Sequence, residues 1–205
     1  MKTRTFVIGY VLALALLVFA NRRSETGSTS TFRTVVDLTN ASPNASLRHK
    51  AQSRAGETRI QAPSTYSPKL WSVDQIPGER LVAPLAIIHG SGSSAVSMED
   101  VVHYEQDYGR IPSGAIVMAR TQANANFSED AVKFLVHARN VVGMGVAQET
   151  LNSEPDNYAL SHSAYLLSNV ANLEKVPAAG SMVMVAPSKL HGAATGPVRI
   201  LALVR

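Results

Sequence analysis

Apolar runs of strand length alternate with capped, amphipathic segments along most of the chain. Continuous apolar runs, which suit strands buried on both faces, occur at residues 81–88, 114–119 and 141–146. Two helices are predicted between them. The first begins after a Ser97 cap, with Asp100 three residues later, and ends at Gly109, and the second opens at Ser128.

Shorter strands are predicted at residues 34–39, 165–170, 182–186 and 198–204, whereas the polar stretch 147–163 is predicted to be irregular. Strands alternating with a few helices indicate a single mixed α/β domain, without a visible internal repeat. Residues 57–66, ETRIQAPSTY, alternate polar and apolar positions before an Ala-Pro step. That pattern predicts a strand entering a loop, with Thr58, Arg59, Gln61 and Thr65 as candidates to face a cavity.

The first twenty residues have the layout of a secretory signal. Lys2 and Arg4 precede an uncharged apolar run over residues 6–20, which ends in small residues at the cleavage positions. Fifteen helical residues span only about 22 Å, less than the roughly 30 Å hydrocarbon core. We therefore expect a cleaved signal at 1–20, a polar linker at 21–31, a domain at 32–205, and a secreted or periplasmic protein with no stable membrane span. Arg22 and Arg23 leave an uncleaved anchor as the alternative.

Charge and cysteine content exclude several classes of partner and chemistry. The net charge of +4 is concentrated before residue 31, and the rest of the chain has 15 basic and 14 acidic residues. No basic surface for nucleic acid is therefore expected. The absence of cysteine removes disulfides, thiolate nucleophiles and Zn–Cys sites.

The six histidines have no local spacing typical of a metal pair. His103 and His137 lie in predicted helices beside charged residues, which indicates solvated positions. His89 precedes a loop with two glycines that lacks the third glycine of a dinucleotide fingerprint, so a flexible turn is predicted there. No G-x-S-x-G nucleophile elbow occurs. These residues alone specify no reaction.

A resemblance to a known family does emerge from several motifs taken together. They are VVDLT at 35–39, SVDQIP at 72–77, ERLVAP at 79–84, GRIPSGA at 109–115, SNVANLEKVP at 168–177, APSKL at 186–190 and GPVRILALV at 196–204. In these motifs the chain, from about residue 32 to its last residue, resembles the cyclase family of kynurenine formamidase-like (arylformamidase-like), metal-dependent hydrolases. The resemblance implies a swivelling β/β/α fold, dimers or higher oligomers, and a divalent cofactor such as zinc or manganese.

The family signature, His-x-Gly-Thr-His-x-Asp-x-Pro-x-His-Phe, is altered at every position that would bind metal. ETRIQAPSTY aligns on it through Thr58 and the Ala-Pro step. The resemblance then places Ala55 and Arg59 at the two histidine ligand positions and Gln61 at the aspartate position. The following catalytic histidine becomes Thr65. Because Arg59 is a permanent cation, no metal is expected at this site.

Two further family positions are also substituted. The acid–base histidine aligns on Asp156, and a glutamate aligns on Ser168. The chain is thus expected to be a divergent, catalytically impaired family member, and so a binding or structural protein. The alternative is an active amide hydrolase of the arylformamidase type, as in tryptophan–kynurenine catabolism, that uses a rearranged site. Asp156 with His162 is the candidate pair for that site, and a purely structural role for His162 stays open.

Arg59 also reverses the sign of the local field, which suggests a small anionic ligand. Thr58, Thr65 and Ser168 would supply hydroxyl donors around Arg59. The competing hypothesis is an internal ion pair, in which Arg59 binds Asp156 or Glu57 instead of a ligand.

Overall fold

In the computed structural model, the described residues are 32–40, 56–91, 95–121, 126–149 and 153–205. The predicted signal, the linker and Ala55 lie outside them. The strands are β1 Thr34–Asp37, β2 Arg59–Gln61, β3 Val82–His89, β4 Ala95–Val96, β5 Ile116–Arg120, β6 Asn126–Phe127, β7 Gly143–Gly145, β8 Tyr165–Ser168, β9 Ser181–Pro187 and β10 Thr195–Val204. The α-helices are α1 Met98–Tyr108, α2 Glu129–Arg139 and α3 Glu154–Ser161. Within the described part, no helix is long and apolar enough to cross a membrane.

The long strand β10 closes the main sheet on itself. One of its edges pairs with β9, and the other pairs first with β2 and then with β1, all antiparallel. The strands therefore form a ring in the order β10-β2-β8-β7-β5-β3-β9 and back to β10, with β1 added beside β10. This closed, barrel-like sheet places β2, which carries Arg59 and Gln61, between β10 and β8.

Strands β3, β5, β7 and β8 are neighbouring and parallel, and each is joined to the next by one helix. These strands are nearly continuous apolar runs because both of their faces are buried. Alternation along a strand divides the interior into two cores. On β8, Tyr165 and Leu167 point into the barrel, whereas Leu166 points into the layer beneath the helices.

Each of the three helices begins directly after a serine, and two begin with a full capping box. Asp100 accepts from the Ser97 backbone N–H at 2.8 Å while its own N–H donates to Ser97 Oγ at 3.2 Å. Ser153 and Asp156 form the same arrangement at the start of α3. Reciprocal capping satisfies two backbone donors that have no partner inside the helix.

Helix α3 corrects the prediction that residues 147–163 are irregular. It has only eight residues, and its polar composition hides an apolar face that consists of Ala159 and Leu160. Pro155 is compatible with this helix because it lies in the first turn, where a missing N–H costs nothing. The Ser153-x-x-Asp156 spacing is a capping-box signal that could have identified this helix.

Close contact between β7 and β8 leads to a first prediction, which concerns Gly143. A Cβ at Gly143 would lie 2.5 Å from Cε2 of the fully buried Tyr165, whose hydroxyl donates to the Arg80 carbonyl at 2.8 Å. Gly143→Ala should lower the free energy of unfolding by about 1–3 kcal/mol in urea denaturation, because the ring has no room to move. Gly78→Ala is the control, since nothing lies within 4 Å of a Cβ there. Equal stability of the two variants would contradict the packing argument.

A second prediction concerns the ion pair that ties α1 to α2. Glu105 accepts from Nε and Nη2 of Arg139, both at 2.6 Å, and from the Ile111 N–H at 2.9 Å. The hydrogen bond from Arg139 lowers the pKa of Glu105. A carboxyl whose folded-state pKa is depressed stabilises the fold above its unfolded pKa and loses that contribution as pH falls through the folded pKa.

Glu105→Gln should therefore cost about 1.5–3 kcal/mol of unfolding free energy at neutral pH. The difference from the unchanged protein should shrink below pH 4.5, the ordinary pKa of this group, as the wild-type carboxyl protonates. Denaturant titrations between about pH 3 and pH 7 measure both effects, because this range covers the pH at which carboxyl groups titrate. Glu129→Gln, which breaks the exposed pair with Lys133, should change little and serves as the control. A pH-independent cost at Glu105 would show that packing, not charge, is responsible.

Candidate functional site

The altered signature forms β2 and the turn that follows it. Ile60 points into the barrel core and is fully buried, so the side chains on either side of it, Arg59 and Gln61, point to the outer face. The Ala-Pro step ends the strand, and Pro63–Thr65 forms a 3₁₀ turn. Strand, exit loop and side-chain alternation all agree with the sequence prediction for residues 57–66.

Arg59 lies in an internal polar contact. Its Nη1 is 3.5 Å from Oε2 of Glu57, and its Nη2 donates to Thr195 Oγ1 at 3.4 Å. Both charged side chains are 23% exposed. Of the two carboxylates proposed as partners, the structure brings Glu57, not Asp156, to Arg59. Both contacts are long for charge-assisted hydrogen bonds, so this pair is loose.

Thr58 does not face a cavity. It is fully buried, and its Oγ1 accepts from the Asn40 N–H at 2.6 Å and donates to the Asn169 carbonyl at 2.7 Å. The hydroxyl therefore fastens the start of β2 to two other segments and has no hydrogen left to donate to a ligand. The prediction that Thr58 lines a binding site is wrong, because the polar side chain is used by the backbone around it.

The other two hydroxyls occupy different environments. Ser168 is buried on β8 as the direct cross-strand partner of Arg59, on the same face of the sheet. Thr65 is exposed, and its Oγ1 donates to the Ala194 carbonyl at 3.2 Å. Ser168 thus lies beside Arg59, whereas Thr65 holds the turn against the loop before β10.

Asp156 is a buried capping residue. Its carboxylate accepts from the N–H and Oγ of Ser153, at 3.2 and 2.9 Å, and from Nδ2 of Asn126 at 3.0 Å. The adjoining cavity has a volume of about 10 Å³, which is room for roughly one water molecule. A carboxylate with three donors and no room for a substrate is poorly placed to act as a general base.

His162 lies at the other end of α3 from Asp156. Six residues of helix separate them by about 9 Å along the axis. The exposed His162 ring stacks on Tyr158, with centroids 4.3 Å apart, and lies 4.8 Å from the ring of His137. The structure thus brings His162 to a second histidine, and it does not bring it to Asp156.

The described positions of the signature do not fit a divalent metal. Arg59 supplies a cation already paired with Glu57, and Gln61 supplies only an uncharged amide. Metal sites of the expected kind need about three or four protein ligands, mostly imidazole, carboxylate or thiolate. Over the described ranges, no three His, Cys, Asp or Glu side chains are grouped so as to hold a metal ion.

A larger cavity lies at the carboxyl ends of β3 and β5, where the sequence predicted only a flexible turn. It measures about 260 Å³ and is lined by His89, Asp100, His103, Tyr104 and Tyr108, among others. Arg120 Nη2 lies 3.0 Å from His89 Nδ1, and since a guanidinium can only donate, Nδ1 accepts. Burial and the Arg120 charge lower the pKa of His89, which favours the neutral ring. The sequence did contain a signal for this cavity, because ligand sites in α/β sheets often lie at the carboxyl ends of adjacent parallel strands such as β3 and β5.

Comparison with known proteins places this geometry in a family. A relative named isatin hydrolase, from Roseibium aggregatum, is 28% identical over 166 residues, which cover 64% of this chain. The match spans only 63% of that curated relative's length.

Solved structures show the same fold. Isatin hydrolase A from Labrenzia aggregata, bound to benzyl benzoate, has a TM-score of 0.70 at 24% identity, covering 83% of this chain and 93% of that one. Isatin hydrolase A from Ralstonia solanacearum has a TM-score of 0.71 at 24% identity, covering 84% and 92%. These likenesses confirm the predicted swivelling β/β/α class, with its closed sheet in one domain.

The family itself is identified by its sequence model. Residues 26–154 match the model named Cyclase and described as "Putative cyclase". Because this match takes in more than half of the 205 residues, the chain belongs to the cyclase family of hydrolase-like proteins.

Proposed function

We propose that this protein is a metal-free, catalytically impaired cyclase-family member that acts by binding. One observation carries the proposal. The guanidinium of Arg59, at the second ligand position of the family signature, is paired with Glu57 and hydrogen-bonded to Thr195. The position thus contributes a fixed positive charge, where a metal site requires a lone pair.

Charge explains why this substitution is decisive. A unit charge and a dication about 4 Å apart repel by several kcal/mol at the effective dielectric of a protein surface. Metal-assisted hydrolysis depends on an ion that lowers the pKa of bound water to about 7. The substitutions at Gln61 and Asp156 remove the neighbouring ligand and the proton shuttle, and Asp156 is used in capping α3.

The same residues suggest what the site binds. Arg59 is partly exposed and its contact with Glu57 is loose, so a small carboxylate or phosphate can replace Glu57 as its partner. Thr195 Oγ1, on one flanking strand, accepts from the guanidinium, and Ser168, on the other, is the cross-strand partner of Arg59. Arg59, Thr195 and Ser168 are therefore the proposed anion-binding residues, and Thr195 takes the place first assigned to Thr58.

The alternative function is hydrolysis of an amide, and the curated relative named isatin hydrolase favours testing it. The candidate substrates for such an activity are isatin and the aryl formamides expected of arylformamidase-like relatives. Asp156 would have to break its capping bonds to serve such a reaction. The assay below decides between binding and hydrolysis.

The third prediction concerns metal and hydrolysis. Purified protein without a tag should hold no zinc or manganese at the signature position, because a single amide oxygen cannot bind the ion. Any metal content should therefore be the same in Gln61→Ala. Elemental analysis of the unchanged chain and of Gln61→Ala measures this. Neither isatin nor an N-formyl aromatic amide should be hydrolysed, with or without added Zn²⁺ or Mn²⁺. Metal that disappears with Gln61→Ala, or turnover that disappears with Asp156→Asn, would overturn the proposal.

The fourth prediction concerns the anion. In thermal-shift titrations at constant ionic strength, phosphate or benzoate should raise the midpoint of the unchanged chain, and Arg59→Gln should abolish the shift. Glu57→Gln removes the competing carboxylate and should tighten binding by about two- to fivefold, the strength of an exposed pair. Arg199→Gln, on the exposed face of β10, is the control. An equal anion response in all four proteins would leave Arg59 with only its internal ion pair.

A further inference from the structure

Helices α2 and α3 bring together two histidines that are 25 positions apart in the chain. The rings of His137 and His162 lie 4.8 Å apart with an interplanar angle of 82°. Both side chains are exposed to solvent. Tyr158 completes the cluster, since its hydroxyl lies 2.6 Å from His137 Nε2 and its ring stacks on His162.

We propose that His137 and His162 form a surface binding site for a divalent transition-metal ion of the kind that imidazole prefers, such as Zn²⁺ or Ni²⁺. Tyr158 supplies a neighbouring oxygen. The site is separate from the cyclase signature on β2.

The hydrogen bonds around His162 select the tautomer that a metal needs. Nδ1 lies 2.9 Å from the Tyr158 carbonyl, which can only accept, so Nδ1 carries the hydrogen. Ser161 Oγ donates its own hydrogen to the same carbonyl at 2.8 Å, which leaves Oγ to accept from Nδ1 at 3.0 Å. The lone pair of neutral His162 is therefore on Nε2. A ring N–H held by a backbone carbonyl is the usual support of a metal-binding histidine.

The spacing of the two rings suits one shared ion. With metal–nitrogen distances of about 2.0–2.1 Å, two imidazoles on one ion at angles of about 90–110° have ring centres roughly 4.5–5.2 Å apart. The observed 4.8 Å lies within that interval. Tyr158 Oη is hydrogen-bonded to His137 Nε2 at 2.6 Å, so an ion on Nε2 would replace this hydrogen bond, and Oη would then lie near the roughly 3 Å separation of neighbouring donor atoms on one metal.

The local field also favours a cation. His137 lies in the last turn of α2, and His162 caps the carboxyl end of α3. The carboxyl ends of helices carry partial negative charge. Lys133, 5.6 Å from the centre of the Tyr158 ring, opposes this field and is offset by Glu129 at 2.6 Å.

The test is a Zn²⁺ titration of the full, untagged chain against a chromophoric zinc indicator. We expect saturable binding of one ion per chain, weakened about tenfold or more by either His137→Ala or His162→Ala. His103→Ala is the matched control, because His103 is likewise exposed on a helix, where its Nε2 lies 3.9 Å from Oε1 of Glu99 and no second histidine ring is stacked on it within the described ranges. Gln61→Ala should leave this binding unchanged, which separates the site from the signature position.

Titration of the unchanged chain with paramagnetic Ni²⁺ gives a second measurement that needs no variant. The imidazole NMR signals of His137 and His162 should broaden together and before those of the other histidines. Absence of saturable Zn²⁺ binding, equal losses in His103→Ala, or binding that depends on Gln61 would each overturn the proposal.

Discussion

The two-sided pairing of β10 is the constraint on which the rest of this structure depends. Its ten residues pair with β9 along one edge and with β2 and β1 along the other. This pairing joins β2 to β9 through β10 and so closes the sheet into a ring. A three-residue strand such as β2 has few hydrogen bonds of its own, and it is ordered because longer strands hold it on both sides. Arg59 is presented on the outer face for the same reason, since Ile60 must fill the barrel core.

Buried carboxylates at the start of two helices are held in structural hydrogen bonds. Asp100 and Asp156 are buried carboxylates, and each uses Oδ2 to cap a helix, while Oδ1 accepts from Ser91 in the first case and from Asn126 in the second. A buried carboxylate needs such donors, because burying its charge without them is costly. The same hydrogen bonds that stabilise α3 therefore occupy the one acid that aligns with the family's proton shuttle.

The two proposed ligand sites have opposite electrostatic character for a physical reason. Arg59 places a positive charge, offset in part by Glu57, between strands whose own dipoles largely cancel. The cluster of His137, Tyr158 and His162 lies at helix ends whose carbonyls are partly negative. An anion is thus favoured at the first site and a cation at the second.

The amino-acid sequence by itself determined the fold class, the buried parallel strands, the Ser97 and Ser128 helix starts and, through its motifs, the family. These features depend on neighbouring residues, on periodicity or on caps, which are local. Through the resemblance, it also predicted that Arg59 and Gln61 stand where the family signature has metal ligands. Helix α3 was missed because eight residues with a two-residue apolar face give a weak periodic signal.

Tertiary structure alone decided which polar groups are available for binding. Thr58 matched a site residue in its motif, but its hydroxyl is consumed by Asn40 and Asn169, the latter 111 residues away. Glu57, rather than Asp156, pairs with Arg59, because Asp156 lies at the start of α3, away from the Arg59 side chain on β2. His137 and His162 show no metal spacing in the chain, and only the packing of α2 against α3 brings their rings together. Such contacts depend on distance in space, which residue order does not encode locally.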